Sequence, residues 1–253
     1  MTTSNNKPMA IVLAAGKGTR MKSDLPKVLC QVCDRPLVAY VLDALREAGV
    51  GRLVVVVGYK ADLVREELAG YENIEFVEQT EQLGTGHAVM VCREQIQSFD
   101  GPVFIVTGDS PMLQASSLKS LIDRYQESET VCLLGSLKHE DPTGLGRIVR
   151  DADGKFTGIV EHKDCSEEQL KINEVNMSTY LIDCQKLLSA LEDVNQNNSQ
   201  GEYYITDVPG ILIKQGMDVR AEPVLQPCEA LSINTVDQLA IVEAEMKRMA
   251  NAN

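Results

Sequence analysis

The 253-residue chain has little positive charge to spare, with 24 Lys and Arg against 37 Asp and Glu and a net charge of -13. A pI near 4.7 excludes a broad nucleic-acid or anionic-membrane surface, because both depend on many phosphate contacts from Lys and Arg. No apolar run approaches the roughly 18 residues that a membrane span requires. The N-terminus "MTTSNNKP" has no apolar signal-peptide core. The seven cysteines are an odd number and read as reduced thiols of a cytoplasmic protein. Cys30 and Cys33 form a CxxC, yet no second CxxC or paired histidines accompany it, so a zinc or redox centre is not expected. What remains is an acidic, cytoplasmic globular protein, with 44% hydrophobic residues and enough chain to bury roughly 70–75% of its unfolded surface.

One stretch runs against the overall charge. In "MAIVLAAGKGTRMKSDLPKVL", from Met9 to Leu29, an apolar strand breaks into glycines and four cations. Lys17, Arg20, Lys22 and Lys27 outnumber Asp24 there. Glycines beyond the carboxyl end of a strand let backbone N–H groups approach phosphate oxygens, and cations neutralise them. A P-loop would need glycine at Ile11 and Ser or Thr at Gly18. A dinucleotide fingerprint would need glycine at Met21. Both fail, which disfavours a nicotinamide oxidoreductase. A small anionic ligand is still expected.

Strands and helices alternate through the first half. The runs 10–15, 52–57, 74–79 and 103–108 read as strands buried on both faces of a sheet. Segments 36–49, 60–70 and 87–96 carry helical spacing between them, Pro36 and Gly49 punctuating the first. Such alternation predicts a mostly parallel mixed sheet in a Rossmann-like α/β/α sandwich. From 131 the rhythm shifts to "VCLLGSL", a hairpin turning at Asp153-Gly154, and "EVNMSTYLID". Two helical segments, "YYITDVPGILIKQG" and "NTVDQLAIVEAEMKRMA", follow, and polar 192–201 reads as a surface loop. We expect one domain over 1–253: a nucleotide-binding half to about 130, a sugar-binding half over 131–233, and a helix at 234–250.

"LAAGKGTRM…LPKVL" resembles the signature of the sugar-nucleotidyltransferases. "EQTEQLGTGHAV", "GDSPM", "DPTGLGRIVRDADGKFTGIVEHKD", "EVN", "QGEYYITD" and "SINTVDQLA" follow in order. Together they resemble the uridylyltransferase domain of the bifunctional N-acetylglucosamine-1-phosphate uridylyltransferase/glucosamine-1-phosphate acetyltransferases. No hexapeptide repeats of the kind that build that family's β-helix acetyltransferase domain are seen, and none of that activity is expected.

The resemblance implies that UTP and N-acetylglucosamine 1-phosphate give UDP-N-acetylglucosamine and pyrophosphate, with Mg2+ as cofactor. By match to the family, Leu13, Ala14, Ala15, Gly16 and Gly108 belong to the nucleotide cradle, and Arg20 and Lys27 hold phosphates. Asp109 and Asn234 match the metal ligands, and Gln79, Gly84 and Thr85 the uracil site. Gly146, Glu161 and Asn176 match the sugar site, with Tyr204 and Thr206 lining an N-acetyl pocket. Asn234 or Thr235 also reads as a helix N-cap. The chain departs from the family at Cys30, usually histidine, at Leu145, usually tyrosine, and at Met177-Ser178, usually Thr-Gly. The last two bear on the sugar. Another hexose or hexosamine 1-phosphate is therefore the alternative substrate, and a non-catalytic regulatory subunit the alternative class. Neither nucleic-acid nor membrane partners are expected, and the oligomeric state is read only as monomer or dimer.

Overall fold

The computed structural model describes residues 7–18, 21, 23–233 and 235–251. The first strand, β1 (Met9–Leu13), leads through a small hairpin, β2 (Gln31–Val32) and β3 (Arg35–Pro36), into helix α1 (Leu37–Glu47). Then β4 (Arg52–Val57), α2 (Ala61–Glu67), β5 (Ile74–Glu78), α3 (Thr85–Met90), α4 (Arg93–Gln97), β6 (Pro102–Thr107) and α5 (Ala115–Gln126) complete the first half. The second half holds β7 (Cys132–Lys138), β8 (Gly146–Arg150), β9 (Phe156–Val160), α6 (Glu167–Leu170), β10 (Glu174–Asp183), α7 (Cys184–Asp193), α8 (Asp207–Lys214), β11 (Val219–Glu222) and α9 (Val236–Ala250).

The main sheet runs β11-β7-β10-β6-β1-β4-β5, with β8 and β9 attached beside the first part of β10. Strands β6, β1, β4 and β5 are parallel, whereas β10 is antiparallel to β6, β7 and β8. This is the expected mostly parallel mixed sheet. Its three layers follow from the two-residue period of a strand. Met9 and Ile11 of β1 enter a core with Val89, Ile96, Leu187 and Leu212 from α3, α4, α7 and α8. Ala10 and Val12 enter the opposite core with Leu42, Val64 and Leu118 from α1, α2 and α5. Strand β4 is buried from Leu53 to Val57, as its apolar run predicts. Strand β5 is not: it forms the sheet edge and is only partly buried, so the expectation of two covered faces fails there.

The segment read as one helix over 87–96 is two, α3 and α4, separated at Val91–Cys92. Their apolar residues Ala88, Val89, Cys92 and Ile96 keep helical spacing across the break, which is why periodicity missed it. Strand β10 carries an irregularity between Asn176 and Tyr180. Ser178 lies within it at φ 53, the left-handed region where the related Thr-Gly sequence would place its glycine. No helix among the described residues is long and apolar enough to cross a membrane.

Candidate active site

The carboxyl ends of β1 and β6 and the loop after β5 open onto a cleft of about 290 Å³. Its walls include Leu13, Ala15, Gly16, Lys27, Gln79, Gly84, Thr85 and Asp109. Eight of the expected nucleotide-site and catalytic residues thus meet in one place. Ala14 and Gly108 lie behind the wall instead. The Ala14 N–H donates to Val56 O, and the Gly108 N–H donates to Leu13 O at 2.9 Å. The Ala15, Gly16 and Lys17 amides donate to no described acceptor, so they form the part of the loop that is free to meet an anion. Arg20, Lys22 and Asn234 lie outside the described residues.

Lys27 opens a short 3-10 turn, Lys27–Leu29, after Pro26. Its Nζ stands 2.5 Å from Asp109 Oδ2, and both side chains are mostly buried. The loop above passes so close to the lysine stem that a Cβ on Gly18 would lie 2.5 Å from Lys27 Cβ. Asp109 follows β6, whose last residue, Thr107, shares a hydroxyl hydrogen bond with Ser110 at 2.7 Å. A cation and an anion are therefore held together at the floor of the cleft. Cys30, next to this turn, is a buried thiol whose pKa is pushed up by burial, with Lys27 and Ser23 opposing. Thr235 caps α9 by accepting from the Gln238 N–H.

Gln79 is 3% exposed, and its amide orientation is set by its partners. Nε2 donates to Gly84 O at 3.1 Å and faces His87 Nδ1 at the same distance. Oε1 takes no donor among the described residues, so an acceptor is presented to the cleft. His87 was missed as a site residue by sequence reading; its ring nitrogen meets the Gln79 amide. Gly84 sits at φ 112, and a Cβ there would fall 2.5 Å from Tyr203 O. Thr85 Oγ1 accepts from the Ile205 N–H. The "LGTGH" and "GEYYITD" segments thus pack backbone to backbone. Glu202 lines the cleft, while Tyr204 and Thr206 line a second recess with Glu161 and Asn198.

In that second region Gly146 and Asn176 are register partners on β8 and β10. A Cβ on Gly146 would stand 3.6 Å from Asn176 Cβ and 3.7 Å from Glu161 Oε1, so all three expected sugar residues converge. Asn176 is buried, its Nδ2 donating to Tyr180 Oη at 2.7 Å and its Oδ1 accepting from the Ser178 N–H. Tyr204 Oη accepts from Gln200 Nε2, which ties the 192–201 loop to the recess. Met177 packs with Leu145 against Leu137, Val175 and Leu225. Leu145 and Met177, both departures from the family pattern, therefore share one apolar cluster on the far face of the strands.

Burial raises the Glu161 carboxyl above its ordinary 4.5, with the Thr206 hydroxyl partly offsetting and Asp164 and Asp207 adding to the rise. Its ionised form is disfavoured by folding, so it lowers stability above the folded pKa and has no such effect below the unfolded value. Glu161→Gln should melt higher than the wild type at pH 7. That gap should close by about pH 4, where the carboxyl is protonated. Thermal melts at both pH values decide it: a lower melting point for the variant at pH 7 defeats the reading.

The chain matches the MobA-like NTP transferase domain over residues 10–200. It is 44% identical over 242 residues, 96% of its length, to the bifunctional protein GlmU of Clostridium acetobutylicum. The GlmU protein of Streptococcus gordonii gives the same identity and coverage. The chain spans about half of these relatives, 53% and 52% of their lengths.

Proposed function

The chain belongs to the MobA-like NTP transferase domain family, and from that membership we propose that it is a UTP-dependent N-acetylglucosamine-1-phosphate uridylyltransferase. An oxygen of the sugar phosphate attacks the α-phosphorus of UTP. The new O–P bond forms as the bond to the β-phosphate bridging oxygen breaks, and pyrophosphate leaves with the electron pair. With a second pKa near ~6 the attacking phosphate is already dianionic at neutral pH and needs no general base. What the protein must supply is alignment and charge neutralisation. The observation that carries the reading is the Lys27–Asp109 pair on the floor of the cleft, 2.5 Å apart beneath the open Ala15–Lys17 amides.

Lys27, with Arg20, would hold the phosphates and stabilise charge on the departing pyrophosphate. Asp109 offers carboxylate oxygens at the cleft, a donor type that suits a divalent metal. Mg2+ takes few protein oxygens beside phosphates and water, so Asp109 with Asn234 fits it, and when bound it would neutralise phosphate charge. Gln79 Oε1 is placed to accept from the uracil imide N–H. The 161–206 recess would take the sugar, and its carboxylate and amide suit hydroxyl and N-acetyl groups. Seven free thiols fit a reducing compartment, the cytoplasm.

Pyrophosphate release measured over a grid of nucleoside triphosphates and sugar 1-phosphates tests this. UTP should exceed CTP by about 1–3 kcal/mol in kcat/KM, by analogy with bidentate base readout. Preference for CTP or GTP, or for glucose 1-phosphate over the N-acetyl compound, would reject the assignment. Met177 packs away from the sugar row, so Met177→Thr/Ser178→Gly should leave the sugar preference intact.

A further inference from the structure

Arg147 is among the largest fully buried side chains, 1% exposed, although its position on a hairpin strand reads as solvent-facing. No carboxylate among the described residues lies within ion-pair distance of it. Its guanidinium instead donates from Nη1 to Pro142 O at 2.6 Å and to Leu145 O, and Nη2 faces His162 Nδ1 at 3.4 Å. Nε has no partner. Arginine stays ionised at any ordinary pH, so this burial is not relieved by losing a proton. A cation kept in that state needs a reason beyond packing.

The register supplies one. Arg147 is paired with Val175 on β10 and Val160 on β9. The three residues adjacent to this row are Gly146, Asn176 and Glu161, the sugar-site set. Side chains alternate across a strand, so Arg147 lies on the face opposite the sugar. From there it clasps both segments that deliver the set: the 142–145 turn leading into Gly146, and the 162–164 turn leaving Glu161.

We propose that Arg147 is a positioning residue for the sugar phosphate, holding the Gly146 and Glu161 segments at the spacing the sugar needs. This rests on the uridylyltransferase reading above. A planar fork meeting two carbonyls and an imidazole is not reproduced by an ammonium group, so Arg147→Lys keeps the charge and loses the clasp.

The test compares steady-state kinetics of the wild type, Arg147→Lys and Arg147→Met, together with hydrogen exchange of 142–146 and 161–164. Loss of charge-assisted hydrogen bonds of this kind should raise KM for N-acetylglucosamine 1-phosphate by about tenfold or more in both variants. KM for UTP should stay within about twofold, because the uracil-site residues Gln79, Gly84 and Thr85 are held by other contacts, and exchange in both turns should quicken. Wild-type kinetics for Arg147→Lys would overturn the clasp, since charge alone would then suffice. An equal loss for both substrates would overturn it as well, by showing a general structural role. A wild type that releases no pyrophosphate with any sugar phosphate would instead overturn the uridylyltransferase reading, and the inference with it.

Discussion

Asp109→Ala and Lys27→Ala are each expected to lower kcat by about 10²–10³-fold, the usual cost of removing one positioned charge stabiliser. In the free protein the two charges satisfy each other across 2.5 Å. On the proposed reading, a triphosphate meeting the Ala15–Lys17 amides would compete for the ammonium, and the carboxylate would become available to a cation. Such an exchange would swap one opposite-charge partner for another, so that neither group loses its partner in a poorly solvated cleft. Either substitution alone removes this ion pair before substrate arrives and a contact to substrate or metal after it. The double variant should therefore lose less than the product of the single losses. Kinetics at saturating substrate and divalent metal, with melting curves to show that each variant is folded, would decide the matter. Turnover within twofold of wild type for Asp109→Ala would remove it from the mechanism.

Gly84→Ala should be the most damaging single-methyl change in the chain. At φ 112 and ψ 176 the backbone lies in a region essentially reserved for glycine, costing about 1–3 kcal/mol for any other residue. The added Cβ would also meet Tyr203 O at 2.5 Å and Tyr203 N at 3.0 Å. Those are backbone atoms, which cannot rotate aside, and overpacking of this kind adds about 1–3 kcal/mol. Against a total stability of about 5–15 kcal/mol, the melting temperature should fall by roughly 10 °C. UTP and sugar affinity should fail together, because Tyr203 sits between the residues that line the two recesses. Gly16→Ala is the control: nothing lies within 4 Å of its would-be Cβ, so its melting point should not move. An unshifted melting point for Gly84→Ala would mean that the two segments can separate freely.

The parallel half of the fold was legible because β1, β4 and β6 are apolar along their length, which only a strand covered on both faces tolerates. Strand β11 and helices α5 and α7 were not read from the pattern. Strand β11 is four residues, alternately buried and exposed, and too short to stand out from a loop. In the site, the residue set came from matched motifs, and the structure adds the reason for several members. Gly84 and Gly146 match the uracil and sugar sites, yet Gly84 is required by the Tyr203 backbone, and a Cβ on Gly146 would press on Ile159 at 3.2 Å. Arg147 and His87 were illegible as functional residues. A basic residue in a polar hairpin reads as solvated surface, and nothing local to the sequence announces that Pro142 and Leu145 carbonyls turn inward to meet it. Met177 shows the converse. Methionine in place of threonine allows either a pocket-facing or a core-facing side chain, the core being favoured, and the side chain packs with Leu145 in an apolar cluster.

Strand β10 has a consequence for the order in which this protein can be made. Residues 180–183 supply the second neighbour of β6, while Val175 and Asn176 pair with β8. A chain emerging from the ribosome has therefore synthesised all of β1, β4, β5 and β6 long before anything covers the apolar flank of β6. That flank must wait, as an open strand edge of the kind that invites pairing with other chains. When β10 arrives it sets both halves at once. The irregularity between Asn176 and Tyr180 lets its two ends take independent registers, so this late strand can seal the edge of β6 without turning Asn176 to the wrong face.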